Sequence, residues 1–306
     1  MSSPADTHFM AHSQTLVQQS PYIQIAGAVI LIYDYTLNVY DECELVWRAP
    51  WSIGKVLFLL NRYPPFVDAS MGVYRSIAPS ITAEVCAYIY HVSGWMIIAG
   101  IIMSEVIIVI RVWALWQFSR IVGASLLIVA ILGIGITSIS YVKFSDEMTF
   151  VDMNIISPNL NGCFPAPRSN IVFLAFVGLV VWETLVMILL LSRGARHFGH
   201  VSNGFLLRVY QNGIMYYVFM ALSCINIDIL LTGPPESANL LTPIQRVLHS
   251  VIASHMLFQL RESARKRQHF PDDRSPVDVD PGTLVFASRP GDDAETWFGD
   301  GRGLGP

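Results

Sequence analysis

The chain alternates long apolar runs with short polar breaks, and the longest run sets the frame for the rest. From Ile81 to Trp116 it reads ITAEVCAYIYHVSGWMIIAGIIMSEVIIVIRVWALW. At about 1.5 Å per residue, a helix over this stretch more than crosses a hydrocarbon core of roughly 30 Å. The full set of apolar runs predicts helices at 21–40, 51–69, 83–110, 121–142, 170–191, 209–231 and 242–260. The second is the least regular. It holds Lys55, Asn61 and Arg62, and Pro64-Pro65 interrupts its helical pattern. The fourth is rich in Gly, Ala and Ser, which lets backbones approach closely in lipid, so tight packing is expected there.

Ionisable residues within these runs are few. Glu84, His91 and Glu105 fall on one seven-residue series, with Ile98 between. Steps of seven drift only about 20° on a helix, so these side chains share a face. A carboxylate or imidazole facing lipid is costly, so that face is expected to point into a bundle or a wet cavity. Asp34, Glu183 and Asp228 belong with them as acids inside predicted helices. The plainer reading of each is a hydrogen bond to a neighbouring helix and no further role.

The composition agrees with a membrane protein: 53% hydrophobic and only 14% charged, where soluble domains are nearer one-quarter charged. The fold class is therefore all-α, a polytopic seven-transmembrane helix bundle. Residues 1–20 form a polar segment without a basic stretch before a short apolar core, so the first apolar helix is expected to act as the insertion signal. Residues 261–306 open basic, turn acidic and Pro/Gly-rich, and are expected to be a disordered cytosolic tail. Arg48, Arg111, Arg120, Arg193, Arg196, Arg208 and the basic start of the tail would lie on one side, and Arg62, Arg75, Lys143, Arg168 and Arg246 on the other. The richer side faces the cytosol, which puts the N-terminus outside and the C-terminus inside.

That topology places Cys86 and Cys163 on the outer, oxidising side. They either bridge, tying the long 143–170 loop over the bundle mouth, or remain two buried thiols; the bridge is the expectation. Cys43 and Cys224 are expected to be unpaired. His197 and His200 form an H-x-x-H pair without an acidic partner at a metal-ligand spacing, and His249 and His255 lie six apart, a poor match to one helix face. No metal site, cofactor or catalytic set is expected, nor any nucleic-acid partner.

The run YDYTLNVYDECELVWRAPWSIGKVLFLLNRYPPF, residues 33–66, resembles the signature of a fungal (basidiomycete) family of multi-pass membrane proteins of unknown function. Tyr33, Asp34, Tyr35, Asp41, Glu42, Trp47, Trp51, Lys55, Asn61, Arg62 and Tyr63 carry the likeness. RVWALW, from Arg111, is similar to a further element of that family. The resemblance implies a membrane location and no particular activity. A looser resemblance is to seven-helix receptors, in helix count, orientation, cysteine placement and Arg111 at the inner end of helix three. The details depart: Ile110 precedes Arg111 where an acid would stand, and the last helix has neither Asn-Pro-x-x-Tyr nor a lysine.

The resulting expectation is a receptor-like sensor in the lipid bilayer, with the plasma membrane favoured over internal membranes. An unknown small ligand would bind among the outer helix halves. Arg111, Arg120, Arg193 and Arg196 would face a cytosolic, G-protein-like partner. A proton- or ion-coupled transporter using the helix acids, or a membrane enzyme, are the alternatives.

Overall fold

Helix α4, Ala83–Leu115, packs against more helices than any other described element but one, the last helix (Thr242–His269), and sets the axis of the bundle. Its 33 residues make a rod of about 50 Å, longer than a bilayer core is thick. Thr82 caps its start by accepting a hydrogen bond from the Val85 amide at 3.4 Å. It ends in a tight turn with Gln117 and Phe118 in the left-handed region. The computed structural model describes residues 4–78, 81–152, 163–167, 169, 171–196, 218, 220–232 and 241–269.

Helix α1 spans Pro4–Glu42 and finishes in a π-helical turn, Cys43–Trp47. Next come α2, Ile53–Arg62, and α3, Pro64–Ile77. The expected single helix at 51–69 is thus two, broken at Tyr63, because a proline ring cannot continue the hydrogen-bond ladder. Helix α5 is Arg120–Asp146. The 143–170 loop contains an antiparallel pair, β1 (Met148–Asp152) and β2 (Cys163–Pro167), with Asp152 opposite Cys163. Helix α6 is Phe173–Arg196, α7 is Met220–Thr232 and α8 is Thr242–His269.

Helix α4 packs against α2, α3, α5, α6 and α8; α1 packs against α3 and α8; and α5 lies along α6. Apolar clusters hold both ends of α4. Val46, Phe58, Ile107, Ala253 and Leu257 meet at one. Tyr90, Phe144, Met148, Val172 and Phe176 meet towards the other. There Ala78, Ile81, Cys86 and Cys163 form a small core, with Cys86 and Cys163 joined in a disulfide at a Cα separation of 6.2 Å.

Four helical segments are long and apolar enough to cross a membrane, among the described residues: Pro21–Trp47, Ala83–Leu115, Arg120–Asp146 and Phe173–Ser192. Their outward faces carry many exposed aliphatic side chains, such as Ile121, Leu127, Ile128, Ile131 and Leu132 on α5, which suit lipid and not water. This is an all-α polytopic membrane protein. The small residues of α5 do not all mediate close packing. Gly123 abuts the Trp113 indole and Gly94 of α4 lies under the Tyr141 hydroxyl, but Gly133 and Gly135 face open space.

Candidate functional site

Helix α8 is long enough to span but too polar to lie against lipid. Its sequence sets the pairs Gln245-Arg246 and His249-Ser250 four residues apart and Ser254 four beyond, so they share one broad face. All five are buried. This face turns into the bundle and meets four polar groups in succession along the axis.

Nearest the disulfide end, the Arg246 guanidinium lies 3.4 Å from the Asp68 carboxylate of α3. It fits because Gly100 of α4 has no side chain; a Cβ there would collide with it. One turn further along α8, His249 sits between two acids. Its Nδ1 is 3.3 Å from Glu105 of α4 and its Nε2 is 3.6 Å from Glu183 of α6. Trp182 Nε1 donates to Glu105 Oε2 at 2.9 Å, and Ser223 Oγ lies 3.3 Å from Glu183 Oε2. Gln245 donates to Ser223 at 2.8 Å, and Asn226 donates to Gln245 at 2.7 Å.

The next group joins α2, α4 and α8. Asn61 Nδ2 donates to the Ser250 carbonyl at 2.8 Å and to Ser254 Oγ at 3.1 Å, while Ser104 Oγ donates to Asn61 Oδ1 at 2.7 Å. The last group lies at the end away from the disulfide. Arg62, wholly buried, forms an ion pair with Asp34 of α1 and lies 3.6 Å from Glu42, with its guanidinium over the Tyr35 ring. His255 Nε2 is 2.7 Å from Asp34 Oδ1, and Tyr63 and Trp47 both donate to Glu42 Oε1, at 2.5 and 3.1 Å. Lys55 donates to the carbonyls of Trp47 and Ala49, closing the turn that ends α1.

A cavity of about 710 Å³ runs beside α4. Its wall is mostly aliphatic, and its acidic and basic side chains are Asp68, Arg75 and Glu105. Two of the four groups therefore contribute a carboxylate to the cavity wall.

The expected interior residues are divided. Asp34, Glu105 and Glu183 are buried, and His91 is half-buried with Nδ1 2.5 Å from Ser145 Oγ. Glu84 and Asp228 are exposed. Glu84 lies in the first turn of α4, beyond the packed part of the shared face, and Asp228 points away from the face of α7 that carries Ser223 and Asn226. Arg111 is 9% exposed, buried within the bundle instead of presented at its end, while Arg120 is exposed. The side chains of Arg193 and Arg196 lie outside the described residues, as do His197, His200 and the segment from residue 270. Cys43 and Cys224 are free and exposed.

Residues 22–67 match the model of a family of unknown function (DUF6533). The match covers most of the apolar part of α1, the π-helical turn, α2 and the start of α3. It includes Asp34, Glu42, Lys55, Asn61 and Arg62, the buried polar residues that tie these elements to one another and to α8. The comparison with curated proteins gives no match. This chain is an integral membrane protein with a segment similar to that uncharacterised family.

Proposed function

We propose that the protein is a receptor-like sensor of seven spans, N-terminus outside and C-terminus cytosolic, in the plasma membrane. One observation carries the reading: the cavity wall includes Asp68 and Glu105, and both belong to buried polar groups that continue along α8 to the opposite end of the bundle. A molecule in the cavity would touch the first members of that series. Its chemistry would be largely apolar, with a polar or cationic group for the two carboxylates. Helices α2 and α3 together, α7 and α8 are read as completing seven spans because they turn Asn61, Arg62, Asp68, Ser223, Asn226 and the polar face of α8 inward. The distribution of arginine and lysine supports the orientation.

The partner on this reading is a cytosolic, G-protein-like protein at the end away from the disulfide, near exposed Arg120 and the ends of α4 and α6. Arg111 would act there only after the helix ends part. The test is nucleotide exchange on co-expressed G-protein α subunits, in membranes carrying wild-type chain, Arg111→Ala or Glu105→Gln, with conditioned culture medium as the ligand pool. Exchange that needs the chain and is lost in both variants supports the reading. No exchange with any α subunit, from chain shown to be folded, removes it.

A second reading is proton or ion translocation, favoured by the buried placement of Asp34, His255, Glu105, His249 and Glu183 along one axis. It predicts a flux across proteoliposomes that Glu105→Gln abolishes.

A further inference from the structure

Three helices bring Glu105, Glu183 and His249 together. A ligand atom from each lies within 4.8 Å of the others, and all three residues are buried. Glu105 Oε2 is held by Trp182, and Glu183 is held by Ser223. Glu105 Oε1 is different: it is buried, accepts no hydrogen bond and faces the imidazole. Two carboxyl groups in such a place either hold protons or need their charge balanced. Among the described residues no lysine or arginine ion-pairs with either acid, and Arg246, the nearest along α8, is engaged with Asp68.

We propose that this cluster is a binding site for one divalent cation of the zinc type. The donors are one imidazole nitrogen and two carboxylate oxygens, a set that zinc accepts. Two carboxylates and one divalent cation sum to zero charge, which suits an apolar interior better than any metal-free arrangement with both acids ionised. Zinc–ligand bonds of about 2.0–2.2 Å require the three donors to close in by about 1 Å, a movement within side-chain rotamer reach. The outer hydrogen bonds from Trp182 and Ser223 would orient the carboxylates, as such contacts do at metal centres. Glu105 also lines the cavity, so a fourth ligand position would open towards it. The inference stands whether or not the cavity takes a signalling ligand.

The test uses the full chain purified through a tag without histidine, in lipid nanodiscs, stripped with a chelator and then titrated with zinc. Elemental analysis after dialysis is expected to find about one zinc per chain. Thermal unfolding of the stripped wild-type chain should shift upward and saturate at one equivalent, while magnesium and calcium leave it unchanged. Glu105→Gln with Glu183→Gln should lose the zinc, and His197→Ala with His200→Ala should keep it. X-ray absorption at the zinc edge should report nitrogen and oxygen neighbours without sulfur. Wild-type chain that retains no zinc and shows no thermal shift overturns the proposal, and leaves the imidazole between two acids as a proton site. Zinc lost with the His197 and His200 substitutions also overturns it.

Discussion

Asn61 and Ser250 bond each other in both directions. The Asn61 amide donates to the Ser250 carbonyl at 2.8 Å, and the Ser250 hydroxyl donates to the Asn61 carbonyl at 2.7 Å. They are 189 residues apart in sequence and fix α2 against α8. Single interhelical hydrogen bonds in membrane proteins contribute about 0.6 kcal/mol on average. Ser250→Ala should therefore cost roughly 1 kcal/mol. Asn61→Leu, which also removes the bonds to Ser104 and Ser254, should cost about 2–3 kcal/mol. Each side chain bonds the other residue's backbone carbonyl, which the substitution leaves in place, so unfolding of the single and double variants in nanodiscs should show losses that nearly add.

Arg62 has the strongest structural claim on its surroundings. It is buried, paired with Asp34, close to Glu42 and stacked on Tyr35. Removing one partner of a buried pair costs about 3–5 kcal/mol, because the other charge is left without compensation. Arg62→Ala, which leaves both acids without their cation, should destabilise by that order, and Asp34→Ala by less because Glu42 stays 3.6 Å from the guanidinium, each read as a fall in the midpoint of thermal unfolding. Arg62→Lys should rescue little, since a single ammonium cannot reproduce the planar contact with two carboxylates and a ring.

Two glycines make a matched pair of tests. A methyl group at Gly100 would strike the Arg246 guanidinium, whereas at Gly178 nothing lies within 4 Å. Gly100→Ala should displace Arg246 from Asp68 and cost about 2 kcal/mol or more. Gly178→Ala, mid-helix and unobstructed, should stabilise by about 0.5–1 kcal/mol through helix propensity. Melting curves of the two variants, run side by side, separate a crowded site from an empty one.

Much of this was legible in the chain. The apolar lengths locate α4, α5, α6 and the part of α1 from Pro21, whose helix begins already at Pro4, and Pro64-Pro65 marks the break between α2 and α3. The acids at 34, 105 and 183 are recognisable because a carboxylate in an apolar helix needs a partner. What could not be read was the identity of those partners. His249 meets Glu105 and Glu183 across 144 and 66 residues of chain, and no local spacing encodes that meeting. In sequence, Arg246 counts only as one positive charge near the outer end of the last helix. Its burial depends on Gly100 of another helix, a packing relation with no sequence period. Glu84 shows the converse: it shares a helical face with Glu105 but lies exposed in the first turn of α4. The strands β1 and β2 were hidden because a five-residue proline-containing segment, CFPAP, reads as loop.

Orientation is testable through the free thiols. Cys43 lies in the turn that ends α1, at the end away from the disulfide, and is exposed. With Cys224→Ser as background, a membrane-impermeant maleimide should leave Cys43 unlabelled in intact cells and label it after permeabilisation. Labelling in intact cells would reverse the proposed topology.

The central claim is that the cavity and the far end of the bundle are coupled through the buried polar series. The most direct measurement is the distance between spin labels at Cys43 and at Arg120→Cys, by double electron–electron resonance in nanodiscs with Cys224→Ser. Gly178→Trp, which puts a side chain into open cavity space, serves as a fixed occupant. The account predicts a shift of about 2 Å or more on filling the cavity, abolished when Glu105→Gln is added. Superimposable distance distributions with the cavity filled and empty would contradict it.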